Sequence, residues 1–216
     1  MKSIALTFQT MGRLIAGALL TLLLCSFPAR ANLIASLQPV TLSPKAGDVG
    51  DALEVILSNT GAAVDIAAFN FDILTTDTAI TFTDATTATV LDPYIFNGNS
   101  LFGPDIVNPG FAPGQEISAS DLASAPGTFT MLGTGGVVSL GEVFYDVASN
   151  APPGPFTVSF NQGNTDLSDQ ALNGIPITTF QSANITIAAA APEPSSVALL
   201  LGGAALLAGL AGRKRK

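Results

Sequence analysis

The 216-residue chain has no histidine and no tryptophan, and its single cysteine, Cys25, lies near the N-terminus. Each absence removes a class of chemistry from everything downstream. Ser-His-Asp and Cys-His nucleophilic machinery cannot be assembled without imidazole or thiol. Zinc sites built on thiolate or imidazole are excluded on the same ground. No disulfide can form within the body, so the fold must stand on its core. Without tryptophan, and with tyrosine only at Tyr94 and Tyr145, a ring platform for stacking sugars is poorly supplied.

Basic residues are almost as scarce as these, and their placement is informative. Of the eight Lys and Arg, Lys2, Arg13 and Arg30 precede residue 32, and Arg213, Lys214, Arg215 and Lys216 end the chain. Lys45 is the one cation in between, against fifteen of the sixteen acids, so residues 32–191 carry about −14 while the whole chain carries −8. Such a charge disfavours binding to nucleic acid and acidic polymers and favours solubility; the acids read first as a solvated surface and, as the alternative, as an attraction for divalent cations.

The cations flank two apolar runs. Leu14–Leu24 is an 11-residue apolar core, too short to span a bilayer, and it is followed by Ala29-Arg30-Ala31. An A-x-A site there predicts a signal peptide over 1–31, cleaved so that Asn32 becomes the first residue. Cys25 follows Leu24 rather than a small residue and falls in the discarded segment, which argues against a lipid anchor. At the other end, Val197–Gly212 is 16 residues without a charge, with six leucines. With Ser195 and Ser196 it reaches roughly 27 Å as a helix, just short of a ~30 Å hydrocarbon core. The reading is a transmembrane helix over 195–212, weak enough to be a temporary hold. The terminal cations, residues 213–216, form the cytoplasmic stop, which places the body outside the inner membrane. Small residues four apart, such as Ala198/Gly202 and Ala204/Ala208, suit helix packing but are common in such segments.

Pro192-Glu193-Pro194 lies between body and anchor, in a linker over 189–194. Its prolines cannot extend a helix and keep the approach extended. Pro-Glu-Pro, apolar run and basic terminus in that order resemble the PEP-CTERM signal of Gram-negative bacteria, with Ala191 where valine is often found. The resemblance implies export through the secretory translocon and processing near Pro192–Pro194 by exosortase. It also implies delivery to the cell surface or an exopolysaccharide matrix.

The body, 32–188, reads as strands. Leu53, Val55 and Leu57 share one face; Phe69, Phe71 and Ile73 alternate with Asn70 and Asp72; Ile80/Phe82, Val143/Tyr145/Val147, Phe156/Val158/Phe160 and Ile185/Ile187 repeat the pattern. Period-two alternation punctuated by Gly, Pro, Asn and Asp predicts an all-β sandwich with inward phenylalanines. Residues 92–136 crowd turn signals at Asp92-Pro93, Asn97-Gly98, Asn108-Pro109-Gly110 and Pro113-Gly114, and read as a long loop or short-strand excursion. The order of segments, from Ala46-Gly47-Asp48-Val49-Gly50-Asp51 through Leu140-Gly141-Glu142-Val143 to Ile185-Thr186-Ile187, resembles the cohesin-type jelly roll. The resemblance covers most of 33–188 and implies about nine strands; in cellulosomes cohesins bind dockerin modules, and no contact residue is carried over by position.

Carboxylates are the acid–base groups left. Asp48/Asp51, Asp77/Asp84 and Asp166/Asp169 are close pairs, but they fall on predicted turns, where Asp accepts backbone hydrogen bonds. A glycosidase would need two such groups facing across a cleft. Asn161, Asn164, Asp166 and Asp169 make an oxygen-rich loop, a candidate calcium site without the EF-hand spacing. Asn184-Ile185-Thr186 matches a glycosylation sequon on a predicted strand. The expectation is a non-enzymatic exported surface or matrix protein without cofactor. The alternatives are a binding module for an envelope protein or exopolysaccharide and a carboxylate-dependent hydrolase.

Overall fold

In the computed structural model, which describes residues 30–103, 105–107, 114–124 and 128–189, the alternating segments are strands and no helix occurs among those residues. In chain order they are β1 (Leu33–Pro39), β2 (Asp51–Asn59), β3 (Val64–Ile66), β4 (Ala68–Leu74), β5 (Ile80–Thr86), β6 (Asp105–Val107) and β7 (Glu116–Leu122). There follow β8 (Thr130–Leu132), β9 (Val137–Val147), β10 (Gly154–Phe160), β11 (Asp166–Ser168), β12 (Gly174–Ile175), β13 (Ile177–Gln181) and β14 (Ala183–Ile187). Fourteen strands replace the expected nine or so. The excess comes from breaks and short additions. Ala67 separates β3 from β4, Ser182 separates β13 from β14, and β6, β8, β11 and β12 are two or three residues each.

One sheet runs β13-β1-β2-β9-β5. The other runs β12-β11-β4-β10-β14, with β7 on the second edge of β4 and β6 beyond it; β3 and β8 form a separate ribbon. The inner faces bury the residues whose periodicity predicted them: Leu53, Val55, Leu57, Phe69, Phe71, Ile73, Val143, Tyr145, Phe156, Val158 and Ile185. Alternate residues of a pleated strand point to opposite faces, so each sheet offers one apolar face to the other. Phe69 stacks on Phe71 and on Phe96 at centroid distances of 6.0 and 5.8 Å. Each fully buried ring contributes roughly 1.5–3 kcal/mol. Gly141 permits this packing: at φ +155° a Cβ there would sit 3.3 Å from the Thr86 carbonyl and 3.5 Å from the Phe71 ring.

The 92–136 excursion is more structured than its turn signals suggest. Tyr94, Ile95 and Phe96 are buried in the common core, and β7 pairs with β4 along seven residues, from Ala68↔Leu122 to Leu74↔Glu116.

The topology separates the two ends of the chain. β1 begins at Leu33 opposite Asn59, and the same end of the sandwich carries Val137, Ile177, Ala68, Leu122 and Ser168. β14 ends at Ile187 opposite Gly154, and Ala188 then bridges Lys45 beside Gly47, Asp48 and Val147. The chain therefore enters the body at one pole and leaves it at the other.

Candidate functional site

Pro192, Glu193, Pro194, the 195–212 segment and Arg213–Lys216 lie outside the described residues, as does Ala29. Among the described residues no helix is long and apolar enough to cross a membrane. The junction to this tail is fixed by Ala188, whose N–H donates to the Pro44 carbonyl at 2.8 Å. At the entry pole Ala31 packs against the core and Asn32 is exposed. The Asn32 side chain donates to Thr60 Oγ1 at 2.5 Å and accepts from Thr178 Oγ1 at 2.7 Å. Gly61 lies directly against this segment: a Cβ there would stand 2.3 Å from the Arg30 carbonyl and 2.4 Å from the Asn32 nitrogen. The junction at Ala31/Asn32, where signal cleavage is expected, is thus threaded into the fold's first hydrogen bonds.

Exposed large apolar side chains occur at both poles but are most numerous at one. Leu42 and Val49 are exposed beside the exit and Val90 and Leu91 on the segment over Glu54, whereas Leu101, Phe102, Leu122, Phe129, Met131, Val137 and Leu172 are exposed at or beside the entry pole. Leu101, Leu122 and Leu172 line a cavity of about 250 Å³ together with Ala67, Ala68 and Gln170. The hydrogen bond from Leu101 N–H to the Leu122 carbonyl at 3.0 Å holds two of them together. Apolar area clustered in this way is characteristic of interaction surfaces.

The second feature is a pair of buried carboxylates on the outer face of the second sheet. Asp72 on β4 is 0% exposed and Glu116 on β7 is 4% exposed. The edge of β4 changes partner at Asp72: β11 pairs with Ala68–Asn70 and β10 with Ile73–Leu74. The loop between β10 and β11 fills the gap. Asn161 N–H donates to the Asp72 carbonyl at 2.8 Å, and Thr165 Oγ1 accepts from Asp72 N–H at 3.1 Å. Asn161 and Asn164 Nδ2 donate to Asp72 Oδ2 at 3.1 and 2.9 Å, and Asn161 Nδ2 also reaches Glu116 Oε1 at 3.4 Å. Asp72 Oδ1 is buried with no hydrogen-bond donor. Burial pushes the Asp72 carboxyl up to about 6; Glu116 beside it adds to the rise, while the Asn164 and Asn161 amides oppose it.

Of the four residues read as a calcium loop, Asn161 and Asn164 converge on Asp72, and the other two go elsewhere. Asp166 pairs with Asn70 on β11. Asp169 accepts from Asn173 and Ala171 N–H groups in its own turn, and the Asn173 bonds hold its carboxyl below the usual range. Two other paired acids accept turn amides, Asp48 from Lys45 N–H and Asp77 from Ala79 N–H, each at 2.8 Å. Asp51, Asp84 and Asp166 instead lie on strands β2, β5 and β11, where Asp84 accepts from the adjacent Ala85 N–H at 2.8 Å. Asn184 is exposed on β14, and its amide oxygen accepts from Thr157 Oγ1 at 3.0 Å.

Three acids that periodicity assigns to the solvent face are buried: Asp72, Glu54 on β2 and Glu142 on β9. The Glu54 carboxylate accepts backbone N–H bonds from Val90, Leu91 and Asp92. Glu142 stands opposite Glu54 on β9. Burial, then the Glu54 charge, raises its pKa. Their signal was available only in part, as a polar residue within an apolar strand; the loops that cover them leave no such mark. Tyr94 and Tyr145 are both core residues, and Tyr94 Oη donates to Asp121 Oδ2 at 2.5 Å.

No curated protein matches the chain by sequence. Solved structures do match its shape. CaCohA2 from Clostridium acetobutylicum has 16% identity and a TM-score of 0.54 over 76% of this chain and 95% of its own. The seventh ScaB type I cohesin from Pseudobacteroides cellulosolvens gives 13% and 0.54 over 75% and 96%. A chain of the Coh-OlpA–Doc918 type I cohesin–dockerin complex from Clostridium thermocellum gives 13% and 0.52 over 73% and 99%. Residues 190–216 match the model of the PEP-CTERM protein-sorting motif. The chain thus joins a PEP-CTERM sorting motif to a body with the cohesin-type fold.

Proposed function

We propose that this is an exported, non-enzymatic binding module, held in the inner membrane by residues 195–212 until exosortase cuts near Pro192–Pro194. It is then displayed at the cell surface or in the extracellular matrix. The observation that carries the reading is the polarity of the body: the chain leaves at Ala188, and the exposed Leu101, Leu122 and Leu172 lie at the opposite pole. A tail-held molecule offers that pole outward. A protein partner suits it better than exopolysaccharide, because both tyrosines are consumed by the core and no tryptophan exists to stack on sugar. Turn amides already occupy several of the carboxylates, which supports a binding role over hydrolysis.

Deletion of residues 192–216 is expected to move the body from the membrane fraction to the periplasm and to abolish surface display; unchanged fractionation would refute the sorting role. Capture of envelope proteins by wild-type chain, lost in a Leu122→Asp/Leu172→Asp double variant, tests the binding pole. Saturable binding of purified matrix polysaccharide that survives the double variant would favour the polysaccharide reading instead.

A further inference from the structure

We infer that Asp72, Glu116, Asn161 and Asn164 form a binding site for a calcium-class divalent cation on the outer face of the second sheet. The inference begins from the orphaned oxygen. Asp72 is fully buried, yet Oδ1 has no donor, while Oδ2 is shared by two amides. A buried carboxylate with one unmet oxygen, next to a second buried carboxylate, is relieved by a shared proton at low pH and by a bound cation once both are ionised. Among the described residues the basic side chains do not provide one: Lys45 bridges Ala188 at the exit pole, and Arg30 lies beside Gly61 and Ala62 at the entry pole.

The surrounding groups are the right kind. Asn161 and Asn164 are held over Asp72 by backbone bonds, Asn161 N–H to the Asp72 carbonyl at 2.8 Å and Asn164 N–H to the Asn161 carbonyl at 3.1 Å. Rotating each terminal amide by 180° exchanges oxygen for nitrogen without moving the backbone. In that orientation two amide oxygens join the carboxylate oxygens of Asp72 and Glu116. Four hard oxygen-bearing side chains, with water completing the shell, suit calcium, which accepts six to eight oxygens in flexible geometry. The two carboxylates neutralise its charge. Among the described residues no three acidic side chains gather as a metal site; here the third and fourth donors are amides.

Asp51 and Glu142 also carry a buried oxygen without a donor, but among the described residues no Asn or Gln amide is hydrogen-bonded to either carboxylate. Glu54 is occupied by three backbone N–H groups, which leaves Glu142 without a carboxylate free to share a cation. Asp121 accepts from the Tyr94 hydroxyl and the Leu122 N–H. The site retains Asn161 and Asn164 from the oxygen-rich loop but replaces Asp166 and Asp169 with acids from β4 and β7.

The test is calcium titration by calorimetry on the full chain in detergent micelles, stripped with EDTA near neutral pH. One saturable calcium per chain is expected, at a dissociation constant below about 1 mM. Affinity should fall by at least about tenfold in both Asp72→Asn and Glu116→Gln, since each removes one of the two charged ligands. Asp169→Asn should bind as wild type. Melting of the wild-type chain with calcium, magnesium or EDTA is a readout that needs no variant, and only calcium should raise the midpoint. No saturable heat up to about 10 mM calcium would overturn the site. Equal effects of calcium and magnesium would reduce the response to screening of an acidic body and overturn it too. Binding that both variants retain would place the ion elsewhere and count equally against it.

Discussion

Replacing Asp72 with asparagine should make the protein more stable at neutral pH and flatten part of its pH dependence. Burial, with Glu116 adding, raises the folded-state pKa of Asp72 from 3.8 to about 6. A raised acid holds its proton more tightly in the folded state than in the unfolded chain. Its contribution is therefore full below pH 3.8, declines as pH rises through the window, and is gone above about pH 6. At 1.36 kcal/mol per pKa unit the decline amounts to about 3 kcal/mol, taken as an upper figure. Asparagine removes the titration while keeping the shape. Its oxygen can still accept from Asn161 and Asn164, and its Nδ2 can donate to Glu116 from the place of the donorless Oδ1. Urea unfolding of both proteins from pH 4 to 7, in EDTA so that no cation substitutes for the proton, measures the difference. Near pH 4 the two should be alike. At pH 7 the variant should lead by roughly 1–3 kcal/mol. Parallel curves, or a variant weaker at pH 7, would show that Asp72 is not a buried, strained anion.

Four further outcomes follow from the packing. Glu54→Gln removes the anionic acceptor of three backbone N–H groups and should cost roughly 1.5–3 kcal/mol, read as a lowered melting midpoint at pH 7. Phe71→Ala empties a fully buried position between Phe69 and Gly141 and should cost about 3–5 kcal/mol in chemical denaturation. In the uncleaved chain, Gly61→Val drives a side chain into the Arg30–Asn32 backbone and should destabilise by about 1–3 kcal/mol, with the loss appearing first as faster amide exchange at Thr60 and Ala62. Leu122→Asp and Leu172→Asp, both at exposed positions, should leave melting within about 0.5 kcal/mol of wild type, so that loss of partner capture reports the surface rather than the fold.

The strands were legible wherever one face met the core and the other met solvent. Phe69, Phe71 and Ile73 alternate with Asn70, and that alternation turns the three apolar side chains to the core and leaves Asn70 partly exposed. Tyr94, Ile95 and Phe96 were not legible as core. Three consecutive buried residues have no period of two, and they follow an Asp-Pro turn. The strand β7 was hidden by its own composition, because its inward Ile117 and Ala119 are flanked by serines and acids that resemble loop sequence. Asp72 and Glu54 were assigned to solvent-facing positions, where the sheet alone would leave them. Their burial comes from the 161–165 and 87–92 segments, which lie far away in sequence. The oxygen-rich loop at 161–169 divides for a related reason. Residues close along the chain share a loop, but β11 takes Asp166, and the turn after it Asp169, away from Asn161 and Asn164.

Entry and exit at opposite poles would give two cleavages different consequences under the proposed function. The nine residues of β2 set the poles roughly 30 Å apart. A chain that carried both a leader before Asn32 and a membrane anchor after Ala188 would be moored to one bilayer at both poles, with Gly61 and Asn32 at the point of attachment of the apolar one. Loss of the leader would free that pole alone, and loss of the tail would then free the whole molecule. A chain that lost its tail first would stay tethered by the surface proposed to bind.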